Sequence, residues 1–183
     1  MDVSETDEAI AKAVQAGDTE RFGTLVERYE AKLKRYGTKF LSNKDNIDDI
    51  VQDVFVAAFS AIQSFDITQR FSPWLYRVAH NAFVNALRKG KYSPHFIDFD
   101  TLVSYAVYED PHERERELDE MRVLLDKGIS TLSPKYREVL VLHYFEDMSY
   151  KDIADILKVP TGTVGVRLKR AKEALRRTIE PKL

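Results

Sequence analysis

The chain has 183 residues, 44% of them hydrophobic and 32% charged, with a formal net charge of −2, the profile of a folded chain of one or two small domains. It contains no Cys, 7 Gly and 6 Pro, which excludes disulfides and thiolate metal sites, leaves few turns for an all-β fold, and fits a reducing compartment. The acidic start, MDVSETDEAIAKAV, has no long apolar run, so neither a signal peptide nor a membrane span is expected.

In chain order, Ser4 or Thr6 is placed to cap a short helix through Ala16, and Gly17 to end it in a left-handed turn. Asp18 is placed to cap a longer helix with an apolar stripe of Phe22, Leu25, Val26, Tyr29, Leu33, Tyr36 and Phe40. Steps of three and four like these mark one buried face. A third helix follows SNKDN, with Ile47, Ile50, Val51, Val54, Phe55, Ala58 and Ile62 on its stripe. The fourth begins with Ser72 at the N-cap and Pro73 at the first helical position, and buries Leu75, Val78, Ala79, Ala82, Phe83 and Leu87. From Gly90 to about Leu118 the periodicity fails and acids accumulate, the pattern of an acidic linker. Helices return with ELDEMRVLLDKGISTL and PKYREVLVLHYFE; Ser149 and Asp152 then form a capping-box variant before IADILK, and TVGVRLKRAKEALRR makes a last, basic helix. The expected fold is all-α, two small helical domains (1–92 and 119–183) joined by an acidic linker (93–118).

Charge is sorted into blocks. Ile67 to Ile97 holds five bases and no acid, whereas Asp45 to Asp66 holds five acids and no base. Pro160 to Leu183 has seven bases against two acids, and Asp98 to Glu120 nine acids against two bases. Such sorting points to several charged partners rather than one evenly solvated surface.

SYKDIADILKVPTGTVGVRLKRA has the layout of a helix-turn-helix, with the small Ala154 where two helices cross and Val164 and Leu168 turned inward. That leaves Thr161, Thr163, Gly165, Val166, Arg167, Lys169 and Arg170 to face a groove. A helix fits the DNA major groove, with its N-terminal side chains at base edges and its later bases on phosphates. An amphipathic hairpin with a solvated basic face has the same spacing. On the fourth helix, Trp74, Arg77, Asn81, Asn85 and Arg88 form an acid-free row opposite the stripe, and Lys89 follows. Aromatics, amides and bases together suit unpaired nucleic acid. The preceding loop, SFDITQRF, carries Phe65 and Phe71 near its ends. These two rings and Trp74 either help receive an extruded base or seal helix packing. On the third helix Asp49, Gln52, Asp53 and Val56 make an acidic row, either a docking face for a basic protein or a solvated face. The four His are scattered, with no i,i+4 pair, and neither a phosphate loop nor a nucleophile elbow occurs. No catalytic residue, metal site or cofactor is expected.

The order IDDIVQDVF, RFSPWLYRVAHNAF, acidic linker, LSPKYREVLVLHYFEDMSYKDIADILKVPTGTVGVRLKRAKEALR resembles the extracytoplasmic-function (ECF) sigma factors, small bacterial initiation factors that keep sigma domains two and four. The resemblance implies an alternative sigma factor that binds core RNA polymerase, recognises promoter DNA at minus-ten and minus-thirty-five elements, and nucleates strand opening. It implies that Asp49, Ile50, Gln52, Asp53 and Phe55 dock on the β′ clamp helices, with the β subunit also contacted. Phe65, Phe71, Trp74, Arg77, Asn81, Asn85, Arg88 and Lys89 then serve the minus-ten element, and Thr161 to Arg170 the minus-thirty-five element. It further implies an anti-sigma partner and a cytoplasmic location, at the inner membrane face when such a partner holds it there. Gly165 and Val166 stand where the family often has a basic and then a small polar residue, and Asn85 where an acid is common. A stand-alone helix-turn-helix regulator is the alternative; it leaves the acidic third-helix row and the acid-free fourth helix without a role.

Overall fold

The computed structural model describes residues 5–38, 40, 41, 43–88, 128, 129 and 131–179. Among them every regular element is helical, as composition and periodicity require. The N-terminal group is α1 (Asp7–Gln15), a 3-10 turn (Thr19–Arg21), α2 (Phe22–Gly37), α3 (Lys44–Ala61) with a 3-10 extension (Ile62–Ser64), and α4 (Phe71–Arg88). The C-terminal group is α5 (Pro134–Leu140), a π-helical turn (Val141–Phe145), α6 (Tyr150–Leu157) and α7 (Thr161–Ile179). The expected acidic linker, Lys89 and most of the helix expected in ELDEMRVLLDKGISTL lie outside the described residues.

The apolar stripes are buried as their spacing demands. All seven stripe residues of α3 lie inside, as do Leu25, Tyr29, Leu33 and Tyr36 of α2 and Leu75, Ala79 and Phe83 of α4. Aromatic rings bind these three helices together. Tyr36 meets Tyr76 and Phe83 edge-on at 5.3 and 6.2 Å, and Phe40 stacks on Phe83 at 5.1 Å, arrangements that add to simple area burial. Gly37 ends α2 where the helices approach most closely. A Cβ there meets Phe83 at 2.6 Å and Ile47 at 2.7 Å. In the C-terminal group Val139, Leu142, Ile153, Ile156, Val164 and Leu168 form the core. Arg137 is buried beside it and donates to the carbonyls of Ile129 (3.1 Å) and Leu132 (3.0 Å), tying the turn before α5 to the helix.

Helix starts follow the sequence in part. Thr6 accepts from the Ala9 N–H, Asn43 from the Asn46 N–H, and Ser149 and Asp152 form a complete capping box. Gly17 takes φ +107°, the left-handed end expected of it. Two caps differ. Asp18 makes no side-chain cap; it precedes the 3-10 turn and lies 4.0 Å from Arg21, so α2 begins only at Phe22. Ser72 is not the N-cap of α4, because the helix starts at Phe71, two residues before the expected Pro73. The Phe71 N–H donates to the Glu8 carboxylate of α1 at 2.8 Å, a partner from another helix doing what a local hydroxyl was expected to do.

Gly37→Ala should lower stability by about 1–3 kcal/mol in urea denaturation, since the added methyl overpacks a closed contact. Gly23→Ala, where a Cβ meets nothing within 4 Å, should leave stability unchanged or raise it by up to about 1 kcal/mol. Equal losses at both positions would contradict the close approach at Gly37.

Candidate nucleic-acid interface and docking face

The loop between α3 and α4 is built from both of its ends. Gln15 of α1 donates its side-chain amide to the carbonyls of Ile62 (2.7 Å) and Phe65 (2.8 Å), fixing the point where the loop leaves the 3-10 turn. Asp66 then accepts from the Thr68 N–H (2.9 Å) and hydroxyl (2.7 Å), forming an Asx turn. Those hydrogen bonds, led by the Thr68 hydroxyl, hold the Asp66 carboxyl below the usual carboxylate range. Residues 66–70 are all exposed.

Phe65 and Phe71 are inside. They are 4% and 0% exposed, and with Trp74 they form a triangle of rings 5.2–5.4 Å apart. Their immediate role is to seal the helix start under the loop. Trp74 is half-buried, covering the two Phe rings on one side. Along α4 Arg77, Asn85 and Arg88 are exposed and Asn81 is half-buried. The structure therefore keeps the row on the surface away from Leu75, Ala79 and Phe83. Neither Arg77 nor Arg88 has an ion-pair partner among the described residues. A cavity of about 480 Å3 opens beside this row, bounded by the loop, Trp74 and Arg77 on one side and by Asp152, Asp155 and Ile156 of α6 on the other.

On α3 Asp49, Gln52, Asp53 and Val56 are exposed, Val56 at 67%, while Ile50 and Phe55 are buried beneath them. Asp48 is drawn into a pair with Lys34 at 3.2 Å. Phe59 extends the row by one further turn. It is 42% exposed and braced edge-on by Phe22 at 5.1 Å. Its i+3 relation to Val56 was visible in the sequence, where it continues an exposed row of Gln52 and Val56.

The C-terminal pair has helix-turn-helix geometry. Lys158 takes the left-handed conformation at φ 53° to turn the chain, and Val159 donates to the Ala154 carbonyl at 3.1 Å. Val164 and Leu168 of α7 are buried, whereas Thr161, Val166, Lys169 and Arg170 are exposed and Thr163, Gly165 and Arg167 intermediate. Gly165 is not bare. The Tyr150 ring lies 3.6 Å from where its Cβ would stand, and Tyr150 itself is 42% exposed. Beside it the rings of His143 and Tyr144 continue an aromatic strip, with Lys172 over Tyr144 at 5.1 Å. Sequence spacing missed this strip because Tyr150 precedes Gly165 by a whole helix and a turn. Among the described residues no group of His, Asp or Glu is arranged to hold a metal ion, and no helix is long and apolar enough to cross a membrane.

Residues 25–92 match the family model described as Sigma-70 region 2, and residues 122–175 that described as Sigma-70, region 4. The chain is 34% identical to the ECF RNA polymerase sigma factor SigW of Bacillus subtilis, over 92% of this chain and 94% of the relative. It is also 34% identical to the ECF RNA polymerase sigma-E factor of Haemophilus influenzae, over 96% of both chains. Among solved structures, CnrH, determined in complex with the cytosolic domain of CnrY, superposes with a TM-score of 0.67 at 26% identity, over 98% of this chain and 100% of CnrH. Both helical groups, in their order along the chain, thus match the two regions of one known class, and this protein belongs to the ECF sigma factors of RNA polymerase.

Proposed function

We propose that this sigma factor divides its promoter work between the two helical groups and docks on core polymerase through α3. What carries this reading is the acid-free row of Trp74, Arg77, Asn81, Asn85 and Arg88 beside a loop and cavity, with Arg77, Asn85 and Arg88 exposed and Trp74 and Asn81 half-buried. An unpaired minus-ten base has edges for the amides to bond and a face for an aromatic to stack on, and its phosphates suit the bases. With Phe65 and Phe71 buried, base capture falls to the loop residues they support, such as Thr68 and Gln69, with the rings acting as a rigid floor. Lys89 continues the basic row in sequence. Taking a base out of the stack costs a few kcal/mol, within reach of one stacking surface and two or three hydrogen bonds.

The minus-thirty-five element is assigned to α7. Thr161 and Thr163 stand at its N-terminus for base edges, and Arg167, Lys169 and Arg170 suit phosphates. Gly165 and Val166 offer neither charge nor hydrogen bond. Tyr150 covers the backbone at Gly165, so that part of the surface contacts DNA through a ring and an apolar branch rather than through a cation.

Asp49, Gln52 and Asp53, together with Val56 and Phe59, supply an acidic rim around an apolar centre, a composition suited to a basic helical partner. The reading assigns this face to the β′ clamp helices, with Ile50 and Phe55 supporting it from below. The β subunit is assigned to the C-terminal part of the chain. Its place of work is then the cytoplasm, with core polymerase. An anti-sigma protein is the expected control, holding the factor at the inner membrane face where that protein is membrane-anchored; relatives are solved with protein partners. Transcription by purified core polymerase, with start-site mapping after forced expression, tests the whole reading. A factor that supports no initiation at any mapped promoter would overturn it.

Gln52→Ala with Asp53→Ala should weaken core polymerase binding about ten-fold, close to 1.4 kcal/mol, without changing duplex binding by α7; undiminished co-purification would remove α3 as the docking face. Asn81→Ala should reduce promoter opening, read by permanganate reactivity, more than it reduces closed-complex affinity. Equal losses would make Asn81 a packing residue only. Gly165→Lys should steepen the dependence of log affinity on log salt by about one unit for minus-thirty-five duplex, and an unchanged slope would place Gly165 outside the DNA surface.

A further inference from the structure

Val166 stands in the middle of the outward face of α7. Steps of three and four put Gly162, Thr163, Lys169 and Arg170 on the same face, and all of these but the half-buried Thr163 are exposed. Val166 is 51% exposed, the one large apolar side chain that the fold leaves uncovered among the described residues of α7. Folding gives no reason for it. A valine in that position buries little apolar area, and its branched Cβ makes it a poorer helix residue than Ala, Lys or Arg. The neighbouring position adds nothing polar. Gly165 has no side chain, and the Tyr150 ring turns carbon atoms, the nearer at 3.6 Å, toward the place where its Cβ would stand. Two consecutive positions thus lack any side-chain donor or acceptor, on a stretch that otherwise carries Thr161, Thr163, Arg167, Lys169 and Arg170.

We infer that Val166 is a specificity-determining residue that packs against the 5-methyl group of a thymine in the minus-thirty-five element. The inference rests on the assignment of α7 to that element. In the major groove each base pair shows its own set of groups, and the thymine methyl is the apolar one among them. A valine branch cannot bond guanine O6 and N7, adenine N6 and N7, or cytosine N4. Closing over those edges strips their water and returns no hydrogen bond, which costs free energy. Over a thymine it takes two apolar surfaces out of water together. Charge selects the occupant. Lys169 and Arg170 flank Val166 one turn further on and are exposed, so the apolar branch is set among cations. That arrangement fits a polyanion with methyl groups in its groove better than it fits an apolar protein surface.

Core polymerase loaded with the full chain provides the test. A promoter pool randomised over the minus-thirty-five element, in a promoter found by start-site mapping, yields the bound sequence. The expected sequence prefers thymine, on one strand or the other, at one or two pairs. Each preferred thymine is then replaced in turn by deoxyuridine, which keeps every hydrogen-bonding group and lacks the methyl. At the pair facing Val166 this should weaken binding about four-fold, the factor expected for one buried methyl group. Val166→Ala should make thymine and deoxyuridine equal there. It should also leave the thermal midpoint unchanged or raised, because alanine is the better helix residue. A pool without a preferred thymine, no thymine sensitive to loss of its methyl, or a sensitivity that survives Val166→Ala overturns the methyl contact. A lowered thermal midpoint in Val166→Ala makes Val166 a packing residue and overturns it as well. If Lys169→Ala with Arg170→Ala leaves affinity for the selected promoter unchanged, the assignment of α7 is what fails, and the inference with it.

Discussion

The polar contacts across the seam between the two helical groups all run in one direction. Glu138, Glu146, Asp147 and Asp152 of the C-terminal group accept from, or pair with, Arg35, Tyr36, His80 and Arg70 of the N-terminal group. A group whose last helix is strongly basic is thus acidic on the side that meets its neighbour. Arg35 Nε is buried without a hydrogen-bond partner among the described residues, and the Tyr76 hydroxyl lies beside Glu146. An orphan such as Arg35 Nε costs about 1–3 kcal/mol. Burial and the nearby Glu146 charge push the Tyr76 hydroxyl well above its ordinary pKa, so it stays neutral and adds no charge to the seam.

Helix α4 works under a constraint that the other helices escape. One face must be apolar enough to anchor in the bundle, through Leu75, Ala79 and Phe83, while the other must stay polar and accessible. The join between these faces is made by Trp74, Phe65 and Phe71, whose rings brace the loop from below. A base-capturing loop benefits from that rigidity, since each ordering step deferred to binding subtracts from affinity. Gln15 and Glu8 serve the same end from α1, one holding the beginning of the loop and the other the first N–H of the helix that follows it. The N-terminal helix therefore helps to build the surface proposed for the minus-ten element, through its hold on the loop and the helix start.

What was legible in the sequence follows from the range of the interactions. The stripe of α3 could be read directly, because a helix periodicity depends only on neighbours three and four residues away, and the Ser149–Asp152 box spans three residues. The α4 cap could not be read this way, since Glu8 lies 63 residues from Phe71. Nor could the seam, where Arg35 and Glu146 are 111 residues apart and Tyr36 and Glu138 are 102 apart. His80 shows the difference clearly. By spacing it is an ordinary packing residue on α4, and only the fold brings it to Glu138. The exposed rows of α3, α4 and α7 were legible as rows, but their depth was not. Phe65 and Phe71 prove to be supports under the surface rather than parts of it, whereas Ile50 and Phe55 were already on a buried stripe.

The two surfaces proposed for promoter DNA also differ in chemistry. On α7, Arg167, Lys169 and Arg170 surround a patch of Tyr150, Gly165 and Val166, a composition that suits phosphate contacts, with only shape and apolar contact at the centre of the helix. On α4 the bases are spaced between amides and an aromatic, a mixture that gains little from duplex and more from opened strands. A surface that favours unpaired DNA gives no benefit before the duplex has been located, and left open it would hold the factor on any single strand.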